Sequence, residues 1–313
     1  MTTTPVRIKD ISPRLGFQAH PAVDTDTKVR LVNELIAAGV PAIEVSSFVR
    51  PDLIPGLADA DEVFARVDRR PGVSLECCVG NLRGLERAID AGADAAWFLL
   101  SADEDFARNN IGRTMRQSLD ELERMQERAS SASITLGTYL IFAWGGPTSR
   151  PRTPDDLTTL TDPLMSMGVS KWILADSSGY AAPHQMRETV SYALSLVEPD
   201  DITVQIHDDR GLGLANVLEL ISLGVKNIDA ALAGSGGHPA ILTGRGAGMC
   251  TEDLVQLLEL QGHETGIDLT SLITTANWLV DTVGIPGRGF TRAVGAVPSA
   301  DGPTPQSARF SWH

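Results

Sequence analysis

Short runs of clustered apolar and β-branched residues alternate along the chain with longer stretches whose apolar positions recur at helical spacing. The short runs read as strands, because about four to eight such residues bounded by turn formers suit a pleated sheet. Eight can be counted, at Val6–Ser12, Ala42–Ser47, Ser74–Val79, Ala95–Ser101, Ile134–Phe142, Lys171–Asp176, Ile202–Asp208 and Asn227–Ala233. Between the first two, Asp24 and Thr25 can cap a helix whose Val29, Val32, Leu35 and Ile36 form one apolar stripe, and Gly39 stops it. Gly92, Gly168 and Gly224 punctuate later units in the same way. Repeated βα units predict a parallel sheet with helices outside. A count of eight favours closure over an open doubly wound sheet, and no Gly-x-Gly-x-x-Gly follows the first strand to suggest a dinucleotide. The expected fold is therefore α/β, a (β/α)8 TIM barrel over residues 1–265. A helix near Glu252–Leu260 is followed by a helix-compatible segment, Leu269–Val283, with Leu272, Ala276, Leu279 and Val280 as its buried face. This predicts a C-terminal helical extension over residues 266–298, packed outside the barrel. Residues 299–313, rich in Pro, Ser and Gly, read as a flexible tail, with Phe310 and Trp312 either disordered or docked on a partner subunit.

Composition narrows the function classes. A barrel of about 250 residues plus an extension accounts for all 313 residues without a linker. The formal net charge of -14 argues against nucleic-acid or anionic-membrane partners, which need a basic face, but leaves local anion sites open. Cys77 and Cys78 are adjacent and Cys250 stands alone, giving neither a metal-ligand spacing nor a disulfide framework, so a reducing compartment is expected. No apolar segment follows a basic region at the N-terminus, and no run of about eighteen apolar residues occurs, so the expected location is the cytoplasm.

The strand ends carry the chemistry. Val204 to Asn216 is an alternating strand running into a Gly turn, with Gln205 and His207 on one face and Val204 and Ile206 on the other. In a parallel barrel, residues at the carboxyl ends of strands line the active site, which makes His207 a catalytic candidate; otherwise it only finishes the strand. Asp10 to Gln18 presents a carboxylate, a guanidinium and an amide around a turn. Arg14 can clamp a carboxylate or polarise a carbonyl, or else form a surface pair with Asp10. Glu44 and Ser46 share a face at the end of the second run, and a buried Glu44 needs a partner, most simply Arg14. Arg83, in Asn81-Leu82-Arg83-Gly84, either meets a distant phosphate or starts a solvated helix. Asp176 and Asp208 are each placed to orient a histidine. Gly234 to Pro239 is a flexible loop with His238 at its tip, a second acid–base candidate or an exposed loop histidine.

Together these motifs resemble hydroxymethylglutaryl-CoA lyase and its TIM-barrel metallolyase relatives, from about Val6 to Leu254. Pro13-Arg14-Leu15-Gly16-Phe17-Gln18 is similar to the family's Pro-Arg-Asp-Gly-Leu-Gln, and Ile43-Glu44-Val45-Ser46-Ser47-Phe48-Val49 to its Ile-Glu-Thr-Thr-Ser-Phe-Val. Asn81-Leu82-Arg83-Gly84 and Thr251-Glu252-Asp253-Leu254 match Asn-Leu-Lys-Gly and Thr-Glu-Asp-Leu. The resemblance implies a divalent ion held by an Asp after the Arg, two His in His-x-His, and an Asn before Thr-Glu-Asp. Here those positions are Leu15, Gln205, His207 and Gly248, so His207 alone is retained; the loop cysteine that serves as acid is His238.

The resemblance and its departures imply a lyase-like enzyme acting on a carboxylated or acyl-CoA-type small molecule, without metal or other cofactor. Arg14, His207, His238, Asp176 and Glu44 are its catalytic candidates, and Gln18, Ser46, Arg83 and Gln205 its substrate contacts. Retro-aldol cleavage is closest to the family, with hydrolysis, isomerisation and condensation open to the same parts. Two alternatives stand beside it. One is a metal-dependent lyase whose site is rebuilt from His207, Asp10, His238 or Asp208; the other is a ligand-binding relative without chemistry. The family and the C-terminal segment together suggest a homodimer.

Overall fold

The structure, a computed structural model, describes residues 5–298 apart from 19, 21, 22, 147, 148 and 237–247. Eight strands, β1 (Arg7–Asp10), β2 (Ala42–Phe48), β3 (Ser74–Val79), β4 (Ala95–Ser101), β5 (Thr135–Ile141), β6 (Trp172–Asp176), β7 (Ile202–Ile206) and β8 (Asn227–Ala230), pair in sequence order into a closed barrel. All the pairings are parallel, and β1 closes on β8 with Arg7 opposite Asn227 and Asp10 opposite Ala230. The register slips between Glu44 and Ser46 on β2. The fold is thus the α/β TIM barrel that the pattern of runs predicts.

Helices start where side chains can satisfy their first amides. Asp24 accepts from Thr27 N at 2.7 Å ahead of the helix Thr25–Ala37, and Asn81 accepts from Gly84 N at 2.8 Å ahead of Leu82–Asp90. Val32, Leu35 and Ile36 of the first helix are buried against the barrel. Lys28 is buried among them, its ammonium 2.7 Å from Asp59.

β1, β5, β7 and β8 end sooner than their apolar runs. β7 stops at Ile206 because His207 pairs with Gly248, and β8 stops at Ala230 because Ala231 pairs with Cys250. Met249 N donates to Ile206 O at 3.1 Å and Ala231 N to Met249 O at 2.8 Å. Residues 248–250 therefore stitch the mouth between the last two strands. Phe142, with φ 60°, ends β5.

The C-terminal helices pack outside the barrel. Leu269–Asn277, continued by the wider turn Trp278–Thr282, buries Leu272, Ala276 and Leu279 against Thr25–Ala37 and Thr251–Leu260. The Arg30 guanidinium lies 4.2 Å from the Trp278 ring centroid. The chain then returns to the mouth, where Arg288 N donates to Ala233 O at 2.8 Å and the Asp253 carboxylate accepts from Phe290 N and Thr291 N. Cys77, Cys78 and Cys250 are free and buried, and among the described residues no helix is long and apolar enough to cross a membrane. The expected tail, 299–313, lies outside the described residues.

Candidate active site

Beyond the carboxyl ends of the strands opens a cavity of about 560 Å³. Arg14, Gln18, Gln205 and His207 line it, with Ser177, Tyr139 and Leu15. Arg14 reaches it because β1 turns at once into the helix Ser12–Phe17, whose Pro13 presets the first turn and needs no amide partner there. The turn is locked from behind: Asp10 accepts from Ser12 N at 2.8 Å and from the Ser12 and Thr251 hydroxyls. Burial pushes the Asp10 carboxyl upward.

Arg14 donates through Nε to Glu44 Oε1. The Glu44 side chain is wholly buried and that of Arg14 is 11 % exposed, so the pair sits in low dielectric with one edge of the guanidinium toward the cavity. The Arg14 pKa stays well above its usual value, with burial opposed by the neighbouring carboxylate. Glu44 Oε2 accepts from the Tyr139 hydroxyl at 2.8 Å, and the Tyr139 hydroxyl oxygen also lies 3.1 Å from Asp229 Oδ2. Below it, Lys9 Nζ sits 3.4 Å from Asp229 and 3.2 Å from Glu76, over the Trp97 ring at 4.4 Å, while Trp97 Nε1 donates to Glu76 at 2.7 Å. A polar column thus descends from Arg14 through the barrel. Burial drives the Asp229 carboxyl up to about 7, whereas Lys9, opposed by burial but held by three carboxylates, rises to about 12. Tyr139 has one proton for two carboxylates, so a protonated Asp229 that donates to the phenol gives each of its two contacts a donor.

The other expected residues divide. Asp176 faces its own loop, accepting from Tyr180 N at 2.8 Å and Ala181 N at 3.1 Å, so its bonds brace the turn after β6 and the expected role of holding a histidine is not what these contacts serve. Burial lifts its carboxyl to about 7. Asp208 accepts from Gly213 N at 2.6 Å, closing the turn into the next helix. Ser46 is buried beyond the β2 irregularity and does not line the cavity. Arg83 is exposed on the first turn of Leu82–Asp90 and is also absent from the lining; the helix begins one residue before it and turns it to solvent. Among the described residues the cations at the rim are instead Arg50 and Arg113, the latter anchored by donating to Gly80 O at 2.7 Å. Sequence reasoning missed these two, and it missed Lys9, Tyr139 and Asp229; a charged residue inside an apolar run, as in Ile8-Lys9-Asp10, was the available signal. His238 lies outside the described residues.

Among the described residues, the positions that the resemblance gives to a metal do not fit one. Leu15 is buried with Ile11 and Ala231 in an apolar corner and offers no donor. Gly248 has only its backbone, which pairs with His207. Asp10 and Asp208 already accept the bonds given above, and among the described residues no three His, Cys, Asp or Glu side chains gather around a common point. A hard divalent ion needs several oxygen donors.

Comparison with known proteins agrees with this architecture. The model of the HMGL-like family matches residues 5–279. A hydroxymethylglutaryl-CoA lyase of Bacillus subtilis is 33 % identical over 282 residues, 90 % of this chain and 94 % of its own. The mitochondrial hydroxymethylglutaryl-CoA lyase of Homo sapiens is 33 % identical over 282 residues, covering 89 % and 86 %. A solved HMG-CoA lyase from Acinetobacter baumannii, in complex with coenzyme A and 3-methylmalate, superposes with TM-score 0.89 at 33 % identity, covering 95 % of this chain and 97 % of that one. With its barrel, its buried Arg14–Glu44 pair and these relatives over nearly its whole length, the chain belongs to the HMGL-like family, as a carbon–carbon lyase-like enzyme.

Proposed function

We propose that this chain cleaves a carbon–carbon bond in a carboxylated 3-hydroxyacyl thioester by acid–base chemistry, with Arg14 as the electrophile in place of a metal ion. The observation that carries the reading is the buried Arg14–Glu44 pair, which opens onto the same cavity as Gln205 and His207 while Leu15 fills the corner beside it. In a retro-aldol step, His207 takes the proton of the C3 hydroxyl and a carbonyl forms at C3. The C2–C3 electron pair passes into the thioester carbonyl, whose oxygen becomes enolate. Arg14 and the Gln205 amide stabilise that oxyanion; Glu44 holds the guanidinium in place and pays no reorganisation during the step. The enolate carbon then takes back a proton, for which His207 is recharged and His238 is the second candidate. Arg50 and Arg113 at the rim suit the phosphates of a CoA carrier. The relatives named above support this substrate class.

The test joins elemental analysis of gently purified protein to cleavage assays on hydroxymethylglutaryl-CoA and related 3-hydroxyacyl thioesters, with and without EDTA. Turnover indifferent to EDTA, in protein with substoichiometric Zn, Mg and Mn, is expected. About one metal per chain with chelator-sensitive cleavage overturns the metal-free mechanism.

A further inference from the structure

One wall of the cavity is continuous apolar surface. After β1 and along β7 stand Arg14, Gln205 and His207, the hydrogen-bonding groups of the mouth, with Leu15, Val49, Leu53 and Ile54 lining the cavity after β1 and β2. The opposite wall is Leu99 of β4, Ile141 of β5, and Phe106 and Ile111 of the segment after β4. Leu99, Phe106 and Ile111 are only half-buried, although they sit in a recess. The wall is already built: the Phe106 ring packs edge-on against Phe142 with centroids 4.8 Å apart, and Leu99 and Phe106 rest on the cluster of Trp97, Tyr139 and Ile141. The four wall side chains carry no ionisable group; the guanidinium of Arg14 pairs with Glu44, and Arg50 and Arg113 also line the cavity.

We infer that the substrate carries, across from its carboxylate or thioester carbonyl, an apolar substituent larger than methyl, and that Leu99, Phe106, Ile111 and Ile141 select it. The inference rests on the proposed function and adds the class of acyl group. A small, wholly polar acyl group leaves this wall facing trapped water that finds few partners there. An alkyl or aryl substituent covers it and gains from every methylene removed from water. The Leu15 corner works in the same sense, since it adds apolar surface beside Arg14 where a charged ligand would otherwise bind polar substrate oxygens.

The test is equilibrium binding, which needs no turnover. Calorimetric titration of the full chain with 3-methyl-, 3-ethyl-, 3-propyl- and 3-butylmalate, free acids lacking CoA, measures the wall directly. Affinity should rise about fourfold per added methylene, the equivalent of about 0.8 kcal/mol. Leu99→Thr, a strand-compatible change at a half-buried position, should flatten that slope. Equal affinities across the series overturn the inference alone, as when the wall serves the pantetheine arm of the carrier. An unchanged slope in Leu99→Thr removes the wall as selector. Failure of every member to bind also overturns the inference, whereas the proposed function stands or falls by the thioester cleavage assays above.

Discussion

Arg14 is a guanidinium taken out of water with Glu44 as its ion-pair partner, and that sets what its neighbours can lose. Replacing Glu44 by Gln keeps the shape and strands the cation, so stability should fall by about 3–5 kcal/mol, read as a lower urea midpoint. Arg14→Lys keeps the charge but loses the planar fork, and kcat on the assigned thioester should fall at least about 100-fold in steady-state assays. Burial also leaves a pH signature. Asp229 and Asp176 titrate near 7 and Glu252 near 8, all raised from ordinary carboxylate values by desolvation. Carboxyls raised in the folded state favour folding while protonated. That contribution is whole below about pH 4 and is lost as pH climbs through 7 to 8. The urea midpoint should therefore be higher at pH 5 than at pH 8, and Asp229→Asn should shrink the difference. Arg14, Glu44, Gln205 and His207 were legible because period-two alternation and strand ends name the inward face. Lys9, Tyr139 and Asp229 were not, because Tyr139 meets Glu44 and Asp229 across 95 and 90 residues of chain, a distance that no local pattern spans.

Among the elements, helix starts and strand interiors were read more accurately than strand ends. Caps are local chemistry, and Asp24 sits where its helix begins. The ends of β7 and β8 depend on residues 248–250, a segment with no strand pattern of its own that enters the mouth and takes His207 and Ala231 out of the parallel ladder. The same distinction explains the rim. Arg83 was chosen for its turn, whereas Arg113 becomes a rim cation through its bond to Gly80 O, 33 residues away. Gly137 shows how tightly one strand can be specified. A Cβ there would lie 2.3 Å from the Trp97 ring and 2.8 Å from Lys171 O, the second being backbone of the neighbouring chain segment. Gly137→Ala should lower stability by about 1–3 kcal/mol and disturb the Trp97 environment, both visible in a thermal melt followed by tryptophan fluorescence.

In the molecule as a whole, the C-terminal extension belongs to the barrel mouth as much as to its outer face. Its own Leu272 and Ala276 are buried against Thr25–Ala37 and Thr251–Leu260, and its return places Arg288 on Ala233 and two amides on Asp253. A chain ending at residue 265 should melt at a lower temperature, be cleaved faster by limited proteolysis, and bind substrate more weakly than the full chain. The sequence alone determined the eight βα units, their closure, the outer helices with their caps, and the strand ends that face the site. Each follows from periodicities and turn chemistry that act within a few residues. The tertiary structure alone decided the polar column from Arg14 to Lys9, the rim arginines, the duty of Asp176 to its own loop, and the meeting of Leu99, Phe106, Ile111 and Ile141 in one wall of the cavity. Those depend on which side chains meet across a closed barrel, where low dielectric makes every unpaired charge costly and pairing is chosen by distance in space rather than along the chain.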